Sequence, residues 1–357
     1  MNPNKFFRKR LISWYLQNKR DLPWRNTNDP YMIWLSEIIL QQTRVSQGLP
    51  YFLNFIAEFP TVFDLAKADE TKVLRLWQGL GYYSRARNLH ACARAIVEQY
   101  NGKFPNTYDE LLQLKGVGKY TAAAIASFAF HEVVPVVDGN VYRVLSRIFG
   151  VFDDIASGQG QKVFAQLAAE LIDRDDPHNY NQAIMEFGAI HCTPTAPACD
   201  SCIFSRDCHA NKHSLQQNLP VKTKKVKVRS RFFHYLVIQF REQILLRQRQ
   251  GNDIWKGLYD FYLIEENQPL DMDQLLDPKR AGCLKDQDFL LENTSGQYKH
   301  VLTHQRIFAR FFHIKLAVQQ LPDLRITNGD FQLYTREEIN DLPKPILIDN
   351  YLNEHIF

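Results

Sequence analysis

The chain has 357 residues, 45% hydrophobic and 13% aromatic, with a formal net charge of +4. That length favours two domains over one, the apolar and aromatic content excludes a disordered chain, and no apolar run approaches the roughly 18 residues that span a bilayer. The stretch MNPNKFFRKRLISWYLQ lacks an apolar signal core ending in small residues, so a cytoplasmic protein is expected; it is taken as a monomer with no membrane partner. Charge is unevenly spread: residues 1–25 carry seven Lys/Arg against the single acid Asp21, and residues 222–231 (KTKKVKVRSR) carry six with no acid. Such stretches accompany phosphate backbones, and equally occur as solvated surfaces or linkers.

Apolar positions recur at helical spacing over 6–16, 31–47, 51–59, 61–76, 86–99, 108–114, 120–130, 141–149, 161–172 and 179–190. Breaks are expected at Pro30, Pro60, Gly79–Gly81, Gly102–Pro105, Gly116–Gly118 and Gly158–Gly160. Beyond the basic stretch the texture changes. Phe232–Ile238 and Gln243–Leu246 read as strands turned at Arg241-Glu242, Tyr259–Ile264 and Ile307–Val318 as further strands, and 346–356 as a closing helix. An all-α domain over 1–212, a basic linker over 213–230 and an α+β domain over 231–357 are therefore expected.

Within the helical part, four of the six cysteines fall inside 17 residues: Cys192, six residues, Cys199, two residues, Cys202, five residues, Cys208. Crowded thiolates favour a metal site over disulfides in a reducing compartment. Two Cys-x2-Cys pairs would have suggested a zinc ribbon, and the uneven spacing does not. The loop closely resembles the [4Fe–4S] loop of the endonuclease III/MutY superfamily of DNA glycosylases, which implies a [4Fe–4S] cluster on these four cysteines, structural and DNA-contacting. Two further motifs carry the same resemblance. Leu114-Lys115-Gly116-Val117-Gly118-Lys119-Tyr120, ahead of the alanine-rich TAAAIASFAF, is similar to the superfamily's helix-hairpin-helix element, where Gly116 and Gly118 let the backbone approach a phosphate. Trp34-Leu35-Ser36-Glu37-Ile38-Ile39-Leu40-Gln41-Gln42-Thr43 matches the MutY family almost residue for residue.

Glu37 sits where seven of nine residues are apolar, so its carboxyl should be desolvated and held protonated; on periodicity alone it could also be an exposed Glu beside Gln41. Asp138, in Asp138-Gly139-Asn140, could be an ordinary helix cap, but its position matches the superfamily's catalytic aspartate. The resemblance implies that Glu37 protonates N7 of adenine and that Asp138 stabilises an oxocarbenium-like sugar, with Asn140 beside it. Tyr120 stands where endonuclease III-like enzymes carry a Schiff-base lysine, so a monofunctional glycosylase is expected. Arg20, Leu22, Trp24, Leu40 and Val45 resemble the family's adenine pocket, and Gln182 holds a position that is often acidic there. Gln42 and Tyr82 match residues that wedge into the duplex near 8-oxoguanine.

The second domain resembles the family's Nudix-like domain, without a pyrophosphatase box. The loop that reads 8-oxoguanine corresponds to Leu302-Thr303-His304, where Leu302 replaces an aromatic. The fold class implied is multidomain: an all-α helix-hairpin-helix glycosylase domain with an iron–sulfur loop, then an α+β Nudix-like domain. The partner implied is double-stranded DNA with adenine mispaired to 8-oxoguanine or guanine. Two other readings stay open: an endonuclease III-like glycosylase/lyase for damaged pyrimidines, and a non-enzymatic iron–sulfur DNA-binding protein.

Overall fold

A computed structural model describes residues 3–223, 228–284, 287–317 and 331–357. Residues 224–227 of the basic linker and Val318, expected to end a strand, lie outside the described residues. The chain divides into two compact units, Met1–Ala66 with Ala91–Lys224, and Lys67–His90 with Lys225–Phe357. The second unit therefore takes in a helical stretch that lies inside 1–212. Within it, Lys344 N–H donates to Gln78 Oε1 (3.0 Å), Tyr83 Oη donates to the Lys344 carbonyl (3.3 Å) and Arg87 Nη1 to the Lys256 carbonyl (2.6 Å).

Along the helical part run α1 (Pro3–Asn18), α2 (Pro30–Leu40), α3 (Val45–Glu58), α4 (Val62–Lys67), α5 (Glu70–Leu76), α6 (Ser84–Tyr100), α7 (Tyr108–Leu111), α8 (Lys119–Phe130), α9 (Gly139–Phe149), α10 (Gly158–Leu171), α11 (Pro177–Glu186) and α12 (His209–Lys212). Asp29 caps α2 through the Tyr31 amide and Pro30 occupies its first turn, where a missing N–H costs nothing. The helix expected over 31–47 is two helices. Its run breaks after Leu40, where Gln42 takes a φ of +56°, a left-handed value that neither glycine nor asparagine announces in the sequence. The helix expected over 61–76 likewise divides into α4 and α5.

Gly158–Gly160, expected as a break, instead opens α10: Ser157 Oγ accepts from the Gly160 amide at 2.9 Å. A Cβ on Gly160 would lie 2.1 Å from the Asp154 carbonyl oxygen, so glycine is there for close approach. The helix expected over 179–190 ends at Glu186 and continues as a single π turn over Phe187–His191. Trp14, Tyr15, Val144, Leu145, Phe164, Tyr180 and Phe187 form one continuous core.

The second unit is built on a mixed sheet: β1 (Arg229–Phe240), β2 (Gln243–Gln248), β3 (Tyr259–Asp260), β4 (Tyr262–Glu266), β5 (Phe289–Thr294), β6 (Tyr298–Val301), β7 (Gln305–Leu316) and β8 (Phe331–Tyr334). β1 and β2 form the expected hairpin, with Phe240 opposite Gln243. Tyr259–Ile264 proves to be two strands, β3 and β4. β1 and β7 pair in parallel from Arg229↔Gln305 to Gln239↔Lys315, which places Leu236, Ile238, Phe312 and Ile314 in one core. The closing helix runs over Ile346–His355, and its Tyr351 stacks on Phe311 with ring centroids 4.1 Å apart.

Candidate active site and cysteine loop

Helices α2 and α8 pack closely because α8 turns small residues inward: Thr121, Ala122, Ala123, Ala124 and Ala126 are all buried. Gln41 Nε2 reaches Thr121 Oγ1 at 3.3 Å across this contact. Glu37, on the buried face of α2 and only 7% exposed, meets the Tyr120 hydroxyl from the start of α8 in a hydrogen bond. Gly116, with φ of +81°, and Gly118 shape the turn that delivers Tyr120. Burial pushes the Glu37 carboxyl up to about 7. The Tyr120 hydroxyl, donating to Glu37, pulls the other way, as does the more distant charge of Arg25, while that of Asp138 adds to the rise. Burial also raises the Tyr120 hydroxyl well above its ordinary range.

Asp138 caps α9, accepting from the Val141 amide at 2.8 Å and from Asn140 Nδ2 at 2.7 Å. Burial raises its pKa, opposed by these donors and by Arg143. Asn140 is itself held, its Oδ1 accepting from Arg143 Nη2 at 2.8 Å; Arg143 also donates to the Gly188 and Cys192 carbonyls (2.7 and 2.8 Å). A cavity of about 190 Å³ opens on Glu37, Tyr120, Asp138 and Asn140, and Arg20, Leu22, Trp24, Leu40, Val45 and Gln182 line it too. Gln182 is fixed by Tyr15 Oη, which donates to its Oε1 at 3.1 Å.

The sequence reading missed Arg25 and Glu186, which complete the wall. Glu186, with a side chain fully out of solvent, accepts from Arg20 N, Nε and Nη2 and from Arg25 Nη1 and Nη2 at 2.6–3.0 Å. These donors outweigh burial and hold its carboxyl at about 2. Glu186→Gln is expected to cost roughly 3–5 kcal/mol, because it leaves two guanidinium groups short of their counter-charge; urea unfolding checks this. Because the folded pKa lies below the ordinary 4.5, the wild-type stabilisation is complete above about 4.5 and is lost as pH falls towards about 2.

Cys192, Cys199, Cys202 and Cys208 line a second small void together with Arg147, Phe187 and His191. Their sulfurs meet N–H groups: Arg147 Nη1 to Cys192 Sγ at 3.5 Å, the Phe204 amide to Cys202 Sγ at 3.4 Å and Gln216 Nε2 to Cys199 Sγ at 3.8 Å. Burial raises the Cys208 thiol and pushes that of Cys202 up to about 11. Among the described residues no trio of His, Cys, Asp or Glu side chains gathers so as to hold a single metal ion.

In the second unit, Gly79–Ser84 and His300–Gln305 border one cavity of about 780 Å³. The Tyr82 and Thr303 hydroxyls are 2.6 Å apart there, and His304 lines the same cavity. Tyr82 has a φ of +49° in a turn held by Trp77 Nε1 and Arg85 Nη2, which donate to the Gly81 carbonyl at 3.0 and 3.2 Å. Gln42, Gly116 and Gly118 line neither large cavity.

Residues 35–170 match the HhH-GPD superfamily of base excision DNA repair proteins, and residues 234–354 match the NUDIX domain family. The chain is 33% identical over 306 residues to an adenine DNA glycosylase of Buchnera aphidicola subsp. Baizongia pistaciae, covering 85% of this chain and 84% of that one. It is 33% identical over 375 residues to that of Arabidopsis thaliana (90% of this chain, 58% of the other) and 46% identical over 222 residues to that of Rattus norvegicus (60% and 43%). It thus spans little more than half of the plant relative and less than half of the rat one. Among solved structures, a thermostable thymine-DNA glycosylase superposes with a TM-score of 0.54 at 30% identity, covering 59% of this chain and 97% of that chain. An endonuclease III in a non-covalent DNA complex shares the helical fold, with a TM-score of 0.52 at 21% identity, covering 60% of this chain and all of that one. The chain belongs to the adenine DNA glycosylase family, whose members are hydrolases of N-glycosidic bonds. No helix among the described residues is long and apolar enough to cross a membrane.

Proposed function

We propose that the protein is a monofunctional, monomeric glycosylase that takes adenine out of a duplex where it faces 8-oxoguanine or guanine and hydrolyses its N-glycosidic bond. The observation that carries this reading is a pair of carboxyls in one cavity, both raised by burial but differing in their donors, with two N–H groups on Asp138. Glu37, raised to about 7, carries its proton near neutral pH and gives it to a ring nitrogen of the departing base. Asp138 has two N–H donors aimed at its oxygens, from Val141 and Asn140, and serves as the anion facing the cationic sugar. Leu22, Trp24, Leu40 and Val45 give the base its apolar walls. Tyr120 has no amine with which to form an imine, and Lys119 does not line the cavity; both facts argue for base release without strand cleavage.

The four thiols suit a [4Fe–4S] cluster on this chain's own chemistry. Four cysteines set around one void, with N–H groups on three of their sulfurs, suit such a cluster. When bound, the cluster would staple the 192–208 loop to α9, and no catalytic step passes through it.

Gln42 and Tyr82, both non-glycine residues with positive φ, are the proposed wedges; strain of this kind tends to be kept where function needs it. Thr303 and His304 are the proposed readers of 8-oxoguanine. Single-turnover adenine release from duplexes placing 8-oxoguanine, guanine or thymine opposite adenine tests the proposal, and equal rates for thymine and 8-oxoguanine would overturn the specificity. Thr303→Val is expected to narrow the preference for 8-oxoguanine over guanine by roughly three- to tenfold, the worth of one hydrogen bond, with little change in release opposite guanine.

A further inference from the structure

Arg147, near the end of α9, is only 2% exposed and borders the void that the four cysteines line. All five of its N–H bonds are spent. Nε donates to the Leu219 carbonyl at 3.1 Å, Nη1 to the Thr193 carbonyl at 2.7 Å and to Cys192 Sγ at 3.5 Å, and Nη2 to the Pro194 and Gln216 carbonyls. Four of these acceptors are neutral carbonyls and the fifth is a sulfur, so among the described residues the guanidinium has no carboxylate to balance it. Arg143, one turn earlier on α9, adds a second positive charge beside it. A buried charge without a counter-charge is strongly unfavourable, and bonds to neutral carbonyls satisfy its N–H groups without cancelling its charge. Of the five acceptors, only the Cys192 sulfur can carry the missing negative charge.

We propose that Arg147, through its Nη1–H on Cys192 Sγ, is the buried counter-charge of the iron–sulfur group held by Cys192, Cys199, Cys202 and Cys208, and so raises that group's reduction potential. The inference rests on the [4Fe–4S] reading above. Gaining one electron makes such a group more negative by one charge, so a fixed cation at one of its sulfurs favours the reduced form. The same side chain ties the chain just after Cys192 to residues 216–219, which keeps the charge in place. Arg147 is a tuning residue, distant in role from the paired carboxyls.

The test uses the full-length holoprotein. Arg147→Gln keeps N–H donors and removes the charge, while Arg147→Lys keeps the charge with fewer donors. Protein-film voltammetry is expected to show the redox equilibrium of Arg147→Gln shifted about tenfold towards the oxidised form, about 59 mV for one electron, with Arg147→Lys nearer the parent. An Arg147→Gln potential within twofold of the parent or above it, or equal shifts in both variants, overturns the proposal. If a variant fails to assemble, the parent protein labelled with ¹⁵N-arginine supplies the answer: in the paramagnetic state a ¹⁵N coupling supports the contact at Cys192, and its absence overturns it. Iron analysis separates the two readings. A parent protein without iron sinks the cluster assignment itself, whereas an iron-loaded Arg147→Gln protein with an unshifted potential sinks only the role of Arg147.

Discussion

Glu37→Gln is expected to slow adenine release by roughly 10²–10⁴-fold, the usual worth of a positioned general acid, while making the protein more stable. The two effects share one cause. Burial raises the Glu37 carboxyl from 4.5 to about 7, so the folded state binds its proton more tightly than the unfolded state does. Below about 4.5 both states hold the proton and the site costs nothing; between 4.5 and about 7 stability falls as pH rises; above about 7 the whole cost, about 3 kcal/mol, is present. The neutral amide of Gln carries no such cost, so thermal unfolding at about pH 8 should show the variant melting several degrees above the parent. At low pH the gap should close. The parent's single-turnover rate should in turn fall about tenfold for each pH step above about 7, as the proton is lost. A Glu37→Gln protein that retains full activity, or that melts below the parent at high pH, would contradict the assignment of Glu37.

Asp138→Asn is expected to reduce release by roughly 10³-fold without loss of stability, because burial raises the Asp138 carboxyl and a neutral amide escapes that cost. Asp138 has two jobs that this substitution separates. As N-cap of α9 it satisfies the Val141 amide, and Asn caps nearly as well as Asp. In the proposed mechanism it faces the sugar as an anion, and Asn carries no charge to stabilise an oxocarbenium-like centre. Asp138→Ala removes both and should cost about 1 kcal/mol of stability besides. Rates from chemical-quench assays, set beside unfolding curves, distinguish the roles: equal rate losses with unequal stability losses are expected for Asn and Ala.

Much of the helical site was legible in the sequence because it lies in continuous motifs. Glu37 stands in an apolar run, Tyr120 follows the Gly116–Gly118 turn, and Asp138 opens a helix. Arg25 and Glu186 escaped notice, although a signal was present. Glu186 sits in Tyr180–Gly188 among Ala183, Ile184, Met185 and Phe187, and the desolvation argument applied to Glu37 applies there equally. What periodicity could not supply was its partner, since the two arginines are 161 and 166 residues away in sequence. The break after Leu40 was illegible for a different reason: a left-handed Gln42 has no compositional marker. Strands β5 and β6 were missed because their residues are half-exposed or exposed throughout, so no apolar alternation marks them, and the parallel match of β1 with β7 joins segments that no local pattern links.

The clasp of Arg20 and Arg25 on Glu186 has a consequence for how the enzyme comes into being. It joins positions 166 residues apart, so loop closure over almost the whole helical unit precedes any complete base-binding wall. A ribosome-bound chain that has emerged only through α9 already carries Glu37, Tyr120 and Asp138 but lacks α11 and the residue that orients both arginines. On the proposed reading, half-made protein would lack a finished pocket, and an opening that frees α11 from α1 would take Glu186 from Arg20 and Arg25 while leaving Glu37 and Tyr120 paired.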